Sequence, residues 1–435
     1  MATKRRTAPK AQDKKRDFPV SSGTEELLLA ALERGGDTLE TGRYLVTFRE
    51  NAIDEGLKSL KTRGFRIADA REFKDQAVKP EDAGDAEALV FPEIGVALMG
   101  SAAMQARGMS VQDEIAPDGP VQAIEPEYFV FEADSEYLRG FARAVNTIAR
   151  DVGAEAGVVD EEDEVDAEVL GATWGLARCK VPPSTRSGLG IKVAVLDTGM
   201  DLGHPDFAGR VFTTQTFVGQ PVQDLHGHGT HCIGTSSGPK APPGTTPRYG
   251  IAYAARIFVG KVLTNSGSGT GAGVLAGMNW AVANRCQVIS MSLGSQSPVQ
   301  AAYTNAGAAA LQNGCLIVAA AGNAASSTGA PANSPTIMSV ASLDPSLAPS
   351  SFSNFGKIEI AAPGRDVFSS WPRPTRYRTI SGTSMATPHV AGCAALWAQT
   401  SPALRGLALW KRLQLSARPL PFPASRVGKG LVQAP

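Results

Sequence analysis

Scarcity is the first feature of this sequence. Of 435 residues only 6% are aromatic, five are cysteine and five are histidine, and 42 lysines and arginines are matched by 42 aspartates and glutamates. A formal net charge of zero removes the long-range field with which a nucleic-acid binder gathers its partner. The cysteines at 179, 232, 286, 315 and 393 are odd in number and lack C-x-x-C spacing, which argues against both a zinc site and a complete disulfide framework. No apolar run is long enough to span a membrane, and none follows the basic start as a secretion signal would require. The expectation is a chain with no membrane partner, no nucleic-acid partner and a cytoplasmic location.

What is present is unevenly placed. Lys4, Arg5, Arg6, Lys10, Lys14, Lys15 and Arg16 crowd the start beside a single aromatic, Phe18, which reads as a solvated basic tail. Residues 24–35 follow as a short amphipathic helix that completes a first segment, 1–40. Residues 41–134 alternate between period two and helical spacing: strands at 43–50, 65–70, 89–91 and 95–99, helices at 53–60 and 101–107, and a strand at 121–131 broken near Pro126. This β-α-β-β-α-β order predicts a small α+β, ferredoxin-like open sandwich, equally suited to a generic binding or dimerisation module. Residues 135–172 hold a helix at 137–151 and then Glu155, Asp160, Glu161, Glu162, Asp163, Glu164, Asp166 and Glu168, an acidic linker.

The remainder, 173–435, reads as α/β. Apolar strands at 191–196, 256–263, 287–293, 315–321 and 337–341 alternate with helices at 271–284, 299–313 and 387–399, the pattern of a parallel sheet covered on both faces. Chemistry in such sheets gathers beyond the carboxyl ends of the strands. Asp197 stands at one such end, in Val193-Ala194-Val195-Leu196-Asp197-Thr198-Gly199, although an aspartate there is ordinarily a turn residue. Asp224-Leu225-His226-Gly227-His228-Gly229-Thr230-His231 holds three of the five histidines. A metal site is disfavoured because no glutamate completes an H-E-x-x-H pattern; His228, in a glycine turn that opens a helix, has the reach and pKa of a general base. Asn323 ends a strand of small residues, Val318-Ala319-Ala320-Ala321-Gly322-Asn323, with an amide suited to a developing oxyanion. Ser384, in Gly382-Thr383-Ser384-Met385-Ala386-Thr387-Pro388-His389, would ordinarily cap a helix, but a hydroxyl exposed at that turn also suits a nucleophile.

These four segments, in this order, resemble the signature segments of the subtilisin family of serine peptidases, with wording similar to the proteinase K branch. The resemblance spans residues 173–420. It implies a subtilisin-like parallel sheet flanked by helices, with Ser384 as nucleophile, His228 as base, Asp197 as its orienting partner and Asn323 with the Ser384 N–H as oxyanion hole. It further implies that Ser292, Leu293 and Gly294 pair with a polypeptide substrate on one side and Gly267, Ser268 and Gly269 on the other. Ala320, Ala321, Gly322 and Gly329 would line the pocket for the residue before the cut, where the lack of an acidic group implies a preference for apolar or aromatic side chains. His226 occupies a position that varies in that family, and His204, His231 and His389 match structural positions.

The same resemblance recasts the N-terminal module as an inhibitory propeptide, with Phe131 to Asp134 as the stretch entering the cleft and the whole chain as a zymogen. Rival readings are a maturation peptidase dedicated to one precursor and an inactive binding protein on the same fold. No cofactor is required. Calcium, common in the family, is possible through Asp206 or other oxygens but unsupported, since the loop after Thr235 is rich in proline and glycine and Leu347 replaces an expected aspartate.

Overall fold

The structure, a computed structural model, describes residues 18–34, 39–109, 118–132, 171–244 and 246–435. The basic tail, the helix expected at 137–151 and the acidic linker lie outside the described residues.

The N-terminal part runs α1 (Thr24–Arg34), β1 (Glu40–Phe48), α2 (Ile53–Thr62), β2 (Ile67–Asp69), β3 (Ala88–Phe91), β4 (Val96–Met99), α3 (Ser101–Ala106) and β5 (Val121–Glu132). The strands lie in the order β5-β1-β4-β3-β2. Neighbours are antiparallel except β2, an added edge strand parallel to β3. Period-two alternation gives this sheet two apolar faces. Val46, Phe48, Val90 and Ala97 pack with Leu57 and Leu60 of α2 on one face. That helix approaches closely at Gly56, where a methyl would sit 2.3 Å from the Phe48 ring. Leu45, Leu89, Phe91, Val96 and Leu98 face the other way and join the core of the C-terminal part.

One expectation fails here. The last strand is not broken at Pro126 but runs unbroken through it, paired with Tyr44. The missing N–H is tolerated because the ladder with β1 shifts register between Glu40 and Tyr44, beside the proline.

The C-terminal part contains α4 (Trp174–Arg178), β6 (Lys192–Asp197), β7 (Phe212–Thr216), α5 (His228–Ser237), β8 (Arg256–Lys261), β9 (Ser268–Thr270), α6 (Gly271–Ala283), β10 (Val288–Met291), β11 (Leu293–Gly294), α7 (Ala301–Gln312), β12 (Leu316–Ala320), β13 (Met338–Leu343), β14 (Ile360–Pro363), the hairpin β15 (Val367–Ser370) and β16 (Tyr377–Ile380), α8 (Thr383–Thr400) and α9 (Gly406–Ser416). Seven strands form a sheet in the order β14-β13-β12-β10-β6-β8-β7. Every pair in it is parallel. Both faces are covered, so its central strands are buried along almost their whole length.

Four strands of this region had no apolar periodicity to announce them. β7 is a polar edge strand, β14 is four residues long, and β15–β16 is a small polar hairpin. The helix expected from 387 begins at Thr383, so Ser384 lies inside its first turn rather than before it. The strand order reverses at β6, which has β8 on one side and β10 on the other. The carboxyl end of β6 is therefore a switch-point crevice.

Candidate active site

Asp197 ends β6 inside that crevice, 1% exposed. Its Oδ1 lies 2.7 Å from His228 Nδ1 and also accepts the Thr198 N–H at 2.7 Å. His228 opens α5, turned inward by Gly227 at φ 113°. A side chain at Gly227 would strike the Trp371 ring at 2.3 Å, so glycine is required for space and conformation alike. Burial alone would favour the neutral imidazole, but the Asp197 charge, seconded by Cys232, outweighs it and raises the His228 pKa well above its ordinary 6.5. His228 Nε2 is buried with no hydrogen-bond partner among the described residues.

The loop between these two residues is held by a carboxylate that motif reading passed over. Asp224, fully buried, accepts from the N–H groups of His226, Gly227 and Thr230 and from the hydroxyls of Thr198 and Thr230. The Asp-x-x-Gly wording was the available signal for such a turn. Lys261 is equally hidden. It donates to the Thr198 carbonyl and, at 2.8 Å, to Asn265 Oδ1. Burial lowers its pKa to about 8, against the opposing pull of Asp224 and Asp197.

Ser384 lies in the first turn of α8 and is 1% exposed, not open to solvent as its turn suggested. Its hydroxyl donates to the Ser292 carbonyl at 3.2 Å rather than to His228. Pro388, four residues on, has no N–H to give the Ser384 carbonyl. That carbonyl instead accepts from Ser292 Oγ at 2.7 Å and Cys232 Sγ at 3.6 Å. The nucleophile candidate is thus tied to Ser292 through both its side chain and its backbone.

Asn323 faces the same turn. Its Oδ1 accepts the Thr383 N–H and hydroxyl, each at 2.8 Å, which points its amide nitrogen the other way. A methyl placed on Gly382 would lie 3.1 Å from Asn323 Nδ2 and 3.6 Å from Ser384 N. Both donors therefore border one small space that Gly382 leaves open.

Two edges flank the site, and a strand lies between them. β5 pairs antiparallel with β9 through Phe129–Thr270, Val130–Gly269 and Phe131–Ser268. On its other side Phe131 pairs with Gly294 and Glu132 with Leu293 of β11. Gly267 adds its carbonyl, which accepts the Glu132 N–H at 3.0 Å. Ser292, Leu293, Gly294, Gly267, Ser268 and Gly269 thus frame one track. Ala320 ends β12, with Ala321 and Gly322 following it, and the Gly329 N–H donates to the Ala321 carbonyl at 3.2 Å. A methyl on Gly329 would meet the Ser295 carbonyl at 2.4 Å, so this backbone packs too closely for any side chain there.

The other histidines hold backbone. His204 accepts the Asp206 N–H and lies 2.8 Å from the Arg376 carbonyl. Burial lowers the pKa of His231 to about 3 and that of His389 to about 4, so both are neutral. All five cysteines are buried and unbridged. Among the described residues the grouping whose atoms converge as metal ligands is Asp197, His228 and Cys232, the base of this same site. Asp206, the residue named above for calcium, is engaged by two tyrosines. Its two oxygens accept the Tyr249 and Tyr377 hydroxyls at 2.5 and 2.8 Å. Among the described residues no helix is long and apolar enough to cross a membrane.

Fold and site together define a serine hydrolase built at the switch point of a parallel sheet. Residues 188–430 match the subtilase family (Peptidase S8), and the chain belongs to that family. It is similar to an alkaline protease of Shouchella clausii, 39% identical over 63% of this chain and 72% of that protein. Subtilisin Savinase of Lederbergia lenta is 40% identical over 60% of this chain and 96% of its own length. A cuticle-degrading protease of Metarhizium anisopliae is 37% identical over 70% and 81%. The crystal structure of a cold adapted subtilisin-like serine proteinase superimposes with a TM-score of 0.54 at 35% identity, covering 61% of this chain and 99% of the other. The chain is a subtilisin-like serine endopeptidase that acts on polypeptides.

Proposed function

We propose that this endopeptidase works through Ser384, His228, Asp197 and Asn323 and is held latent by its own N-terminal part. The carrying observation is β5, seated antiparallel between β9 and β11 where an extended substrate would pair. Once the Ser384 hydroxyl leaves the Ser292 carbonyl, its oxygen attacks the substrate carbonyl carbon while His228 Nε2 takes the proton. The oxyanion falls between Asn323 Nδ2 and the Ser384 N–H. Collapse expels the amine, protonated by His228, and leaves an acyl-enzyme that water opens by the same steps.

The raised pKa of His228 sets the direction of the pH response. The imidazolium persists above pH 6.5, so the free base appears only on the alkaline side. kcat/KM is expected to rise through neutrality, with its acid-side half-maximum above pH 6.5. A half-maximum below that value counts against the Asp197–His228 pairing.

Several contacts support latency. Glu125 accepts the Ala301 N–H at 2.8 Å and Glu127 the Ala272 N–H at 2.8 Å, so two carboxylates sit on the N-termini of α7 and α6. Glu127 is itself fixed by Arg43 at 2.7 Å, both fully buried. On the outer side, Phe129 and Phe131 pack with Phe18, Leu27 and Ala30, so α1 straps the strand into the cleft. A tether makes the strand a competitor at high local concentration. Replacing Glu125 by alanine removes a charged cap and is expected to raise the peptidase activity of the full chain roughly fivefold. Unchanged activity would sink the latency reading.

The small, uncharged character of Ala320, Ala321, Gly322 and Gly329 supports cleavage after apolar or aromatic residues. Digestion of a peptide library is expected to yield such residues at the new C-termini; predominant cleavage after Lys or Arg refutes this. The reading needs no metal, and none enters any step.

A further inference from the structure

The end of β5 bears on which substrates the cleft selects, on the reading above that this strand marks the substrate track. Glu132, the last residue of β5, is 6% exposed, an unusual place for a carboxylate. Its Oε1 lies 3.3 Å from His226 Nε2. Room for it comes from Gly267, at φ 77°: a methyl there would lie 3.2 Å from Glu132 Cδ and 3.3 Å from His226 Nε2. Burial and the Asp224 charge both disfavour an ionised carboxyl here. The contact with His226 and the charges of His228 and His226 outweigh them, and Glu132 is held below its ordinary range.

Register places this pocket relative to the cut. Phe131 stands opposite Gly294 and Glu132 opposite Leu293, so the next residue of a chain on the same track runs opposite Ser292. The Ser292 carbonyl is 3.2 Å from Ser384 Oγ. The residue in the place of Glu132 is therefore the second before the scissile bond.

We propose that His226 determines specificity: the enzyme selects substrates with an acidic side chain, glutamate above all, as the second residue before the cut. The His226 Nε2–H donates to that carboxylate in the space that Gly267 leaves. An apolar side chain fills the same space but leaves the ring N–H without its acceptor, and a lysine brings a second donor.

The test uses the full chain, its competent sites counted by fluorophosphonate titration, and peptides differing only at that residue: Glu, Gln, Leu or Lys. The Glu peptide is expected to exceed the Leu peptide by about tenfold in kcat/KM, with Lys lowest. His226→Ala is expected to bring the Glu-to-Leu ratio near unity, and His226→Gln, which keeps a donor, to retain part of it. Equal rates for the Glu and Leu peptides, or a Glu preference that survives His226→Ala, overturn the proposal and leave the peptidase mechanism standing. Failure to cleave any peptide, with no labelling, in both the full chain and its Glu125→Ala form overturns both.

Discussion

Ser384→Ala is expected to lower kcat/KM by about 10⁴-fold or more and to abolish labelling by a fluorophosphonate. The substitution removes the only atom on which an acyl group can form, and the space beside Gly382 has nothing else to stabilise. Little else changes. The side chain makes one hydrogen bond, to the Ser292 carbonyl, while the backbone contacts that hold the turn come from the Ser384 carbonyl and survive. The unfolding midpoint is therefore expected to stay close to that of the parent, which separates lost chemistry from lost fold. Intact mass and N-terminal sequencing of the two proteins also report self-cleavage, which only the parent can perform. Labelling that persists in the variant would place the nucleophile elsewhere.

Gly382→Ala is expected to cut kcat by roughly 10²-fold with little change in KM. The added methyl lies 3.1 Å from Asn323 Nδ2 and 3.6 Å from Ser384 N, in the space that the proposed mechanism gives to the oxyanion. Strain is not the cause, because Gly382 has φ 168°, extended backbone open to any residue. Asn323→Ala is expected to lose a similar or greater factor, but it also leaves the Thr383 N–H and hydroxyl without their acceptor. It therefore lowers stability as well as rate, and Gly382→Ala is the cleaner probe. A Gly382→Ala enzyme with unchanged kcat would show that the oxyanion lies elsewhere. Single-turnover acylation is the deciding measurement, since it reads the chemical step without product release.

Local wording carried much of this site. Asp197 ends β6, His228 opens α5, Asn323 lies three residues beyond β12 and Ser384 is the second residue of α8, and each stands in a motif of small residues. The sheet was legible where buried on both faces, as in Val193 to Leu196 and Leu316 to Ala320. It was silent at its polar edge, β7, and at the short β14, where burial comes from neighbours rather than period. Pro126 misled because its lost N–H is absorbed by a register shift in another strand, β1. The Ser384–Ser292 contact had no local signal, since it joins residues 92 positions apart. Asp224 was visible only as one letter of a histidine motif, although five donors converge on it.

The strand seated between β9 and β11 has a further consequence, for solubility. Through β5 the N-terminal sheet runs on into the flanks of the cleft, making a single seven-stranded sheet across both parts of the chain. Withdrawing β5 exposes two unpaired strand edges facing each other. Such edges recruit any extended segment, including one from a neighbouring copy. The N-terminal part thus also guards these edges, beyond the latency proposed for it. On the latency proposed above, an enzyme freed of β5 at high concentration faces two fates, digesting its neighbours or pairing with them.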